Sequence, residues 1–275
     1  MARALEQLDA AEREQGVDAA FDVIPHEWSH TVVVACMPAW AREGGTAATL
    51  ARLADPATRA RMKHNPRPIW RLASEGHWDR IVLLRSLAHP DWVGQPIATI
   101  ARLLGHTDSF DAVFDLLRHE GEQMPQLMWT ARNFDDADIC LCLRDRRCSV
   151  MSDALAVSTR GKLQGVIGSL GGYGWTARLL GHYSRERGVL TLAEAVHRIS
   201  GRPAARLGLA DRGVLREGAF ADLVVFDAQR VRDDSSIEAP ATHPGGFVHV
   251  FVNGRAVVRD GQRNDECPGR VLRAG

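Results

Sequence analysis

Two neighbouring stretches decide how this chain is read: "LREGAFADLVVFD" (Leu215–Asp227) and "HVFVNGRAVVRDG" (His249–Gly261). In the second, apolar residues alternate on both sides of Asn253-Gly254. Asn-Gly is the strongest short signal for a two-residue type I′ hairpin turn, because both central positions need positive φ. The first stretch has the same β-like character and precedes it by one connection. The spacing therefore predicts a small, β-rich C-terminal module, with a boundary near residues 201–208. We set the domains as 1–202 and 203–275.

Upstream the pattern changes. Leu5, Leu8 and Ala11/Ala12 recur at helical spacing through Ala2–Gln15, and Gly16 ends that helix. "VDAAFDVIP" (Val17–Pro25) reads as a strand buried on both faces, and "TVVVACMP" (Thr31–Pro38) as a second apolar segment. "GGTAATLARLADPATRARMKH" reads as two helices, the second restarted by Pro56. A strand is expected within Trp78–Ala88, and a helix over Pro96–Leu104 stopped by Gly105. Ser109 is the expected cap of a helix over Phe110–Glu120. "MPQLMWTA" follows as a strand, then a helix from Phe134 to Arg144 capped by Asn133, then the strand "CSVMSD" (Cys148–Asp153). A longer helix covers Gly172–Arg187. Thr191 and Glu194 form a capping box for the helix ending at Ser200, and Pro203 starts a short turn. This alternation of strand and helix favours a parallel α/β sheet or barrel.

Composition narrows the function classes. The chain has 275 residues, with 34 Lys plus Arg against 34 Asp plus Glu. A neutral balance gives no electrostatic footprint for nucleic acid or anionic lipid. No apolar run approaches the ~20 residues that span a bilayer. The N-terminus has no apolar signal core, so a cytoplasmic location is expected. Five scattered cysteines suit reduced thiols. Cys140-x-Cys142 with Cys148 reads as core thiols rather than a metal site, since residues two apart on a helix diverge. His182 and His197 read as surface or capping residues, His106 as a loop approach and His243 as a turn. "GGYG" reads as flexible loop.

"HEWSH" (His26–His30) fits the zinc-protease pattern H-E-x-x-H, which needs both histidines on one helical face. Pro25 before it and the run Thr31-Val32-Val33-Val34 after it argue against a helix. In extended chain the two histidines stand roughly 13 Å apart, too far to share one ion. Three readings stay open: a zinc protease at His26, Glu27 and His30, which this context disfavours; a loop in which Trp28 packs and the histidines are merely polar; or an active-site loop at the C-terminal end of a strand.

The two opening stretches resemble the C-terminal β-sandwich segment of the amidohydrolase superfamily. "PGRVLR" (Pro268–Arg273) and "YGWTARLLGHYSRERGVLTLAEAVHRISGRPAARLGLADRG" (Tyr173–Gly213) narrow the resemblance to its N-acyl-D-amino-acid deacylase (D-aminoacylase) branch. "FDVIPHEWSHT", "MPAWAREGG" and "DPATRAR" are similar to a segment of that branch built around Asp-x-Tyr-Pro-Tyr. The resemblance implies a metal-dependent (β/α) TIM-like barrel followed by part of a small β-sandwich. It implies a zinc-dependent hydrolase, or one using another divalent metal, acting on small N-acyl amino acids. It makes Asp153, in "VMSD", the acid/base and metal-facing carboxylate at a strand end, where barrels keep their chemistry. His26 and His30 fall at substrate-loop positions.

The departures are specific. Ala154 stands where the family commonly has Gly, and "SLGG" (Ser169–Gly172) replaces a His-Pro-Arg string. Ile24-Pro25-His26 lacks both tyrosine hydroxyls. No His-x-His, the family's first-strand metal motif, occurs anywhere in the sequence. The resemblance thus makes this the C-terminal part of such an enzyme. The expectation is a truncated chain, inactive alone, or a remnant or subunit that needs an N-terminal partner chain; a homo-oligomer is the other partner considered.

Overall fold

The computed structural model describes residues 1–64, 71–154 and 171–272; Ser169, Leu170 and Arg273 of the motifs above lie outside them. The described residues form two compact units: 1–27, 135–154 and 171–272 in one, and 28–64 with 71–134 in the other. The division falls at 27/28 and 134/135, whereas the expected boundary at 202/203 lies inside the first unit.

The unit of residues 28–134 is built on three strands, β2 (Trp28–Val32), β3 (Ile81–Arg85) and β4 (Met128–Arg132), numbered after β1 (Phe21–Val23) of the other unit. Their order is β2–β4–β3 and both pairings are antiparallel. Helix Ser109–Glu120 lays Ala112, Val113, Phe114, Leu116 and Leu117 into a core with Leu83, Ile97, Ile100 and Trp129. Trp78 meets Phe110 edge-on at 4.8 Å, a favoured aromatic geometry.

The other unit pairs β1 with β5 (Cys148–Val150) in parallel, in the register Phe21↔Cys148, Asp22↔Ser149 and Val23↔Val150. Helix Ala2–Gln15 ends at Gly16 with φ of 65°, as its sequence predicts. Helix Trp175–Arg178 runs directly into a π-helix, Leu179–Glu186. Both halves of the Thr191/Glu194 capping box are made. The module after residue 208 is a four-stranded antiparallel sheet in chain order: β6 (Leu223–Phe226), β7 (Phe247–Val252), β8 (Arg255–Arg259) and β9 (Gln262–Arg263). Asn253 and Gly254 take φ of 48° and 79°, the signature of the predicted type I′ turn. The Asp222 carboxylate accepts from the Asn253 N–H at 2.8 Å and ties β6 to that turn.

Several local expectations shift. "TVVVACMP" splits into the end of β2 and a 3-10 turn, Val33–Cys36. The caps at 108 and 135 are Asp108 and Asp135, whose carboxylates accept from Phe110 and Ala137, rather than Ser109 and Asn133. β1 is half-buried, with Asp22 exposed, instead of buried on both faces. Of the pairings between named strands only β1–β5 is parallel, so the alternation of elements gave the α/β class but not the strand partners. No helix among the described residues is long and apolar enough to cross a membrane.

Two arginines hold β5 in place. Arg147 is buried and bonds Asp145 at 2.6 Å and Asp9 at 2.7 Å, with Glu12 at 3.4 Å. Helix Ala2–Gln15 is thereby fastened to the residue just before β5. Arg198 donates to the backbone carbonyls of Asp145 (2.6 Å) and Cys148 (2.8 Å). Arg147 bonded to Asp145 holds that carboxyl below the usual carboxylate range. A depressed carboxylate stabilises the fold above its unfolded value of about 3.9, and that contribution is lost as pH falls through the folded value. Stability measured by urea unfolding should be steady from pH 7 to about pH 5 and fall below about pH 4. Arg147→Met should lower stability at pH 7 and shrink the difference between pH 7 and pH 3; an unchanged difference contradicts the clamp.

Cys36, Cys140, Cys142 and Cys148 are buried and Cys267 is exposed. Burial pushes the Cys36 and Cys148 thiols up to about 12. The native chain should label rapidly at Cys267 alone with a disulfide reagent, the other four reacting only on unfolding. Fast labelling of Cys140 or Cys142 would contradict their core placement.

Candidate functional site

In a parallel pair both chains leave the sheet at the same end. After Val23↔Val150 the last rung is the Met151 N–H donating to the Val23 carbonyl at 3.1 Å. Three residues beyond that pair stand His26 on one chain and Asp153 on the other. Asp153 and His26 therefore share one edge of the unit, the C-terminal edge of its parallel strands.

Asp153 is exposed, and its backbone is left-handed, with φ of 47°. Such a conformation costs a non-glycine residue on the order of 1–2 kcal/mol, less for Asp, and is retained where the surroundings impose it.

His26 is the opposite case. It is 5% exposed, and its Nε2 lies 3.9 Å from Oδ2 of the equally buried Asp233. The other oxygen of Asp233 accepts from the Ser235 N–H at 3.0 Å and its hydroxyl at 2.7 Å. Two glycines of the "GGYG" region make room for this pair. A Cβ on Gly171 would sit 3.0 Å from the His26 ring, and one on Gly174 would sit 2.0 Å from Oδ1 of Asp233. The stretch read as flexible loop is a close-packed wall. Beside it Tyr173 meets the His243 ring edge-on at 5.1 Å.

Glu27, the general base of the protease pattern, pairs with Arg178 at 3.0 Å. Arg178 lies over the ring of Tyr183 at 5.9 Å. Tyr183 is fully buried, and desolvation pushes its phenol up. His30 lies in the other unit, inside β2 and opposite Thr130 of β4. The chain is a loop at His26 and a strand from Trp28, so "HEWSH" is not helical and the protease geometry is absent.

Among the described residues no three His, Cys, Asp or Glu side chains converge as a metal site. A catalytic zinc takes three protein ligands and a water. Asp153 offers one carboxylate, His26 is turned toward Asp233, and Cys140, Cys142 and Cys148 belong to the core. These residues do not make a zinc site by themselves.

Sequence reasoning missed Asp233, the Glu27–Arg178 pair and the two packing glycines. Asp233 is 207 positions from His26 (233 − 26), and nothing in "VRDDSS" marks it as an imidazole partner. Gly174→Ala should push Asp233 off His26 and destabilise the chain by about 1–3 kcal/mol, the usual effect of overpacking. Gly269→Ala, where no atom lies within 4 Å, should stay within about 0.5 kcal/mol. Equal melting temperatures for the two variants would contradict the wall.

A family model described as the amidohydrolase family matches residues 14–258. The D-aminoacylase of Alcaligenes xylosoxydans xylosoxydans is 44% identical over 100 residues, 36% of this chain and 21% of that protein. The N-acyl-D-glutamate deacylase of the same organism is 46% identical over 101 residues, 37% of this chain and 20% of that protein. An N-acyl-D-glutamate deacylase from Bordetella bronchiseptica has been solved with zinc and a phosphonate that mimics the tetrahedral intermediate. It superposes with a TM-score of 0.67 at 29% identity, covering 99% of this chain and 46% of that one. A D-aminoacylase studied for its binuclear metal center gives a TM-score of 0.66 at 25% identity, covering 96% and 45%. The chain thus spans under half the length of the solved structures it matches.

Proposed function

The chain belongs to the amidohydrolase family, and from that premise we propose that it supplies the strand-end carboxylate of an N-acyl-D-amino-acid deacylase. Such an enzyme hydrolyses the amide of an N-acylated amino acid to a carboxylate and a free amino acid. The observation that carries this reading is Asp153, exposed in a left-handed backbone just beyond β5 and at the same edge as His26. In this reading 1–202 is the late part of a (β/α) barrel and 203–275 part of a β-sandwich. The parallel β1–β5 pair supports the first assignment and the antiparallel β6–β9 sheet the second.

Zinc, when bound, would supply an activated water at neutral pH. The described residues do not form its cage, so the remaining ligands come from polypeptide beyond them, such as an N-terminal partner segment. The part of this chain is proton traffic and positioning. Asp153 takes the proton of the attacking water and returns it to the nitrogen as the C–N bond breaks. His26, braced by Asp233, is the polar donor on the substrate side. His30 lies within a paired strand of the other unit.

The test is release of free amino acid from N-acetyl-D-amino acids with added zinc, for the chain alone and with a partner polypeptide carrying the family's His-x-His strand. Asp153→Asn should lower the rate by at least about 10²-fold, the low end of acid–base contributions, while leaving the circular dichroism spectrum unchanged. Full activity of that variant would remove the assignment.

A further inference from the structure

Beyond the strand-end pair itself, we infer that Arg178 is a positioning residue: acting through Glu27, it sets the direction of His26 and holds that ring against Asp233. The inference deepens the proposed function and rests on its reading of His26 as the donor on the substrate side. Glu27 follows His26 directly in the loop that leaves β1. The two residues share one planar peptide unit. Anchoring the Glu27 side chain limits how that plane can turn, and leaves the His26 ring little more than its own rotamers.

The anchor comes from the helix that starts beside the site. Gly174 and Arg178 stand four residues apart, a spacing that puts them on one face, and the Arg178 N–H donates to the Gly174 carbonyl at 2.8 Å. On that face Gly174 gives room to Asp233, and the Arg178 guanidinium reaches Oε2 of Glu27 at 3.0 Å. Further along, Gly181 lies against the Val231 backbone, where a Cβ would stand 2.5 Å from the carbonyl oxygen. Arg185 donates to the carbonyls of Ala228 at 3.1 Å and Val231 at 2.8 Å. One helix thus grips both sides of the site: the loop that holds His26 and the segment that leads into Asp233.

Charge makes the anchor specific. The Glu27 and Arg178 side chains are 13% and 19% exposed, so water screens the pair little. Such a pair is costly to break from one side, because the remaining charge loses its compensation. With an apolar side chain at position 178, the Glu27 carboxylate moves toward water and the loop takes His26 with it. The guanidinium also lies over the ring of Tyr183, 5.9 Å from its centre, and that ring is fully buried in the core. Tyr183 thereby fixes where Arg178 stands. The bond to Glu27 runs from one guanidinium nitrogen, so the ammonium of a lysine can replace it.

The test reads His26 itself. Diethyl pyrocarbonate modifies accessible imidazoles, and mass spectrometry of the peptides gives the rate at each histidine. In the full chain at pH 7, His26, 5% exposed, should label far more slowly than His77, whose side chain is 50% exposed. Arg178→Met and Glu27→Gln should each speed labelling of His26 at least about tenfold by opening the loop locally. Arg178→Lys should restore the slow rate. Arg255→Met, which breaks the exposed pair with Glu266 at 2.7 Å, should leave it unchanged. Circular dichroism and continued protection of the buried Cys148 thiol show that each variant is folded. Glu27→Gln, which keeps the size of the side chain, decides alone if Arg178→Met does not fold. In the deacylation assay with the partner polypeptide, Arg178→Met should raise KM at least about tenfold, the worth of one hydrogen bond to a charged group, and leave kcat nearly unchanged. Slow labelling of His26 in the folded variants, or an unchanged KM beside fast labelling, would overturn the positioning role. A parent chain that releases no amino acid would instead remove the proposed function and leave the labelling result standing.

Discussion

The functional geometry hangs on one contact: the parallel register between β1 and β5, three rungs long, ending at the Met151 N–H on the Val23 carbonyl. Three rungs are little to hold a strand, so the chain braces β5 from outside. Arg147 locks the residue before β5 to the N-terminal helix, and Arg198 takes two carbonyls at the entrance to β5. Hydrogen bonds from a charged donor are stronger than neutral ones, and these are largely removed from water. Cys148 and Val150 then pack into the core with Leu179, Leu180 and Tyr183. If the register moved by one residue, His26 and Asp153 would no longer leave the sheet at matched positions.

The two strand ends use opposite physics. His26 is enclosed, flanked by Gly171 and faced by Asp233, an arrangement that fixes the ring. Asp153 is open and strained. An exposed carboxylate beyond a strand end is open to water, as the proposed proton transfer requires. The chain belongs to the amidohydrolase family. The solved relatives are more than twice as long as the part this chain matches.

What could be read from sequence was what local chemistry determines. Asn253-Gly254 had to be a type I′ turn, Pro56 had to restart a helix, Gly16 had to end one, and Thr191 with Glu194 had to cap one. The helix caps at Asp108 and Asp135 went to a carboxylate over the neighbouring Ser109 and Asn133, a competition between good caps that propensity does not resolve. Partner choice was not legible. Apolar periodicity says that β2, β3 and β4 are strands; it does not say that they pair with one another in antiparallel fashion around β4. Of the site, Asp153 and His26 were visible through the family motif, since both follow strands. Asp233, Gly171 and Gly174 were not, because their roles exist only after the chain has closed on itself.

The most direct measurement of the central claim is a proton NOE spectrum of the isotope-labelled chain, focused on the Met151 amide. The parallel register predicts cross-strand contacts between that amide and residues 22–24, as clear as those across the Asn253-Gly254 hairpin. If the hairpin contacts are present and the Met151 amide shows none to residues 22–24, His26 and Asp153 do not share an edge, and the functional reading falls with them.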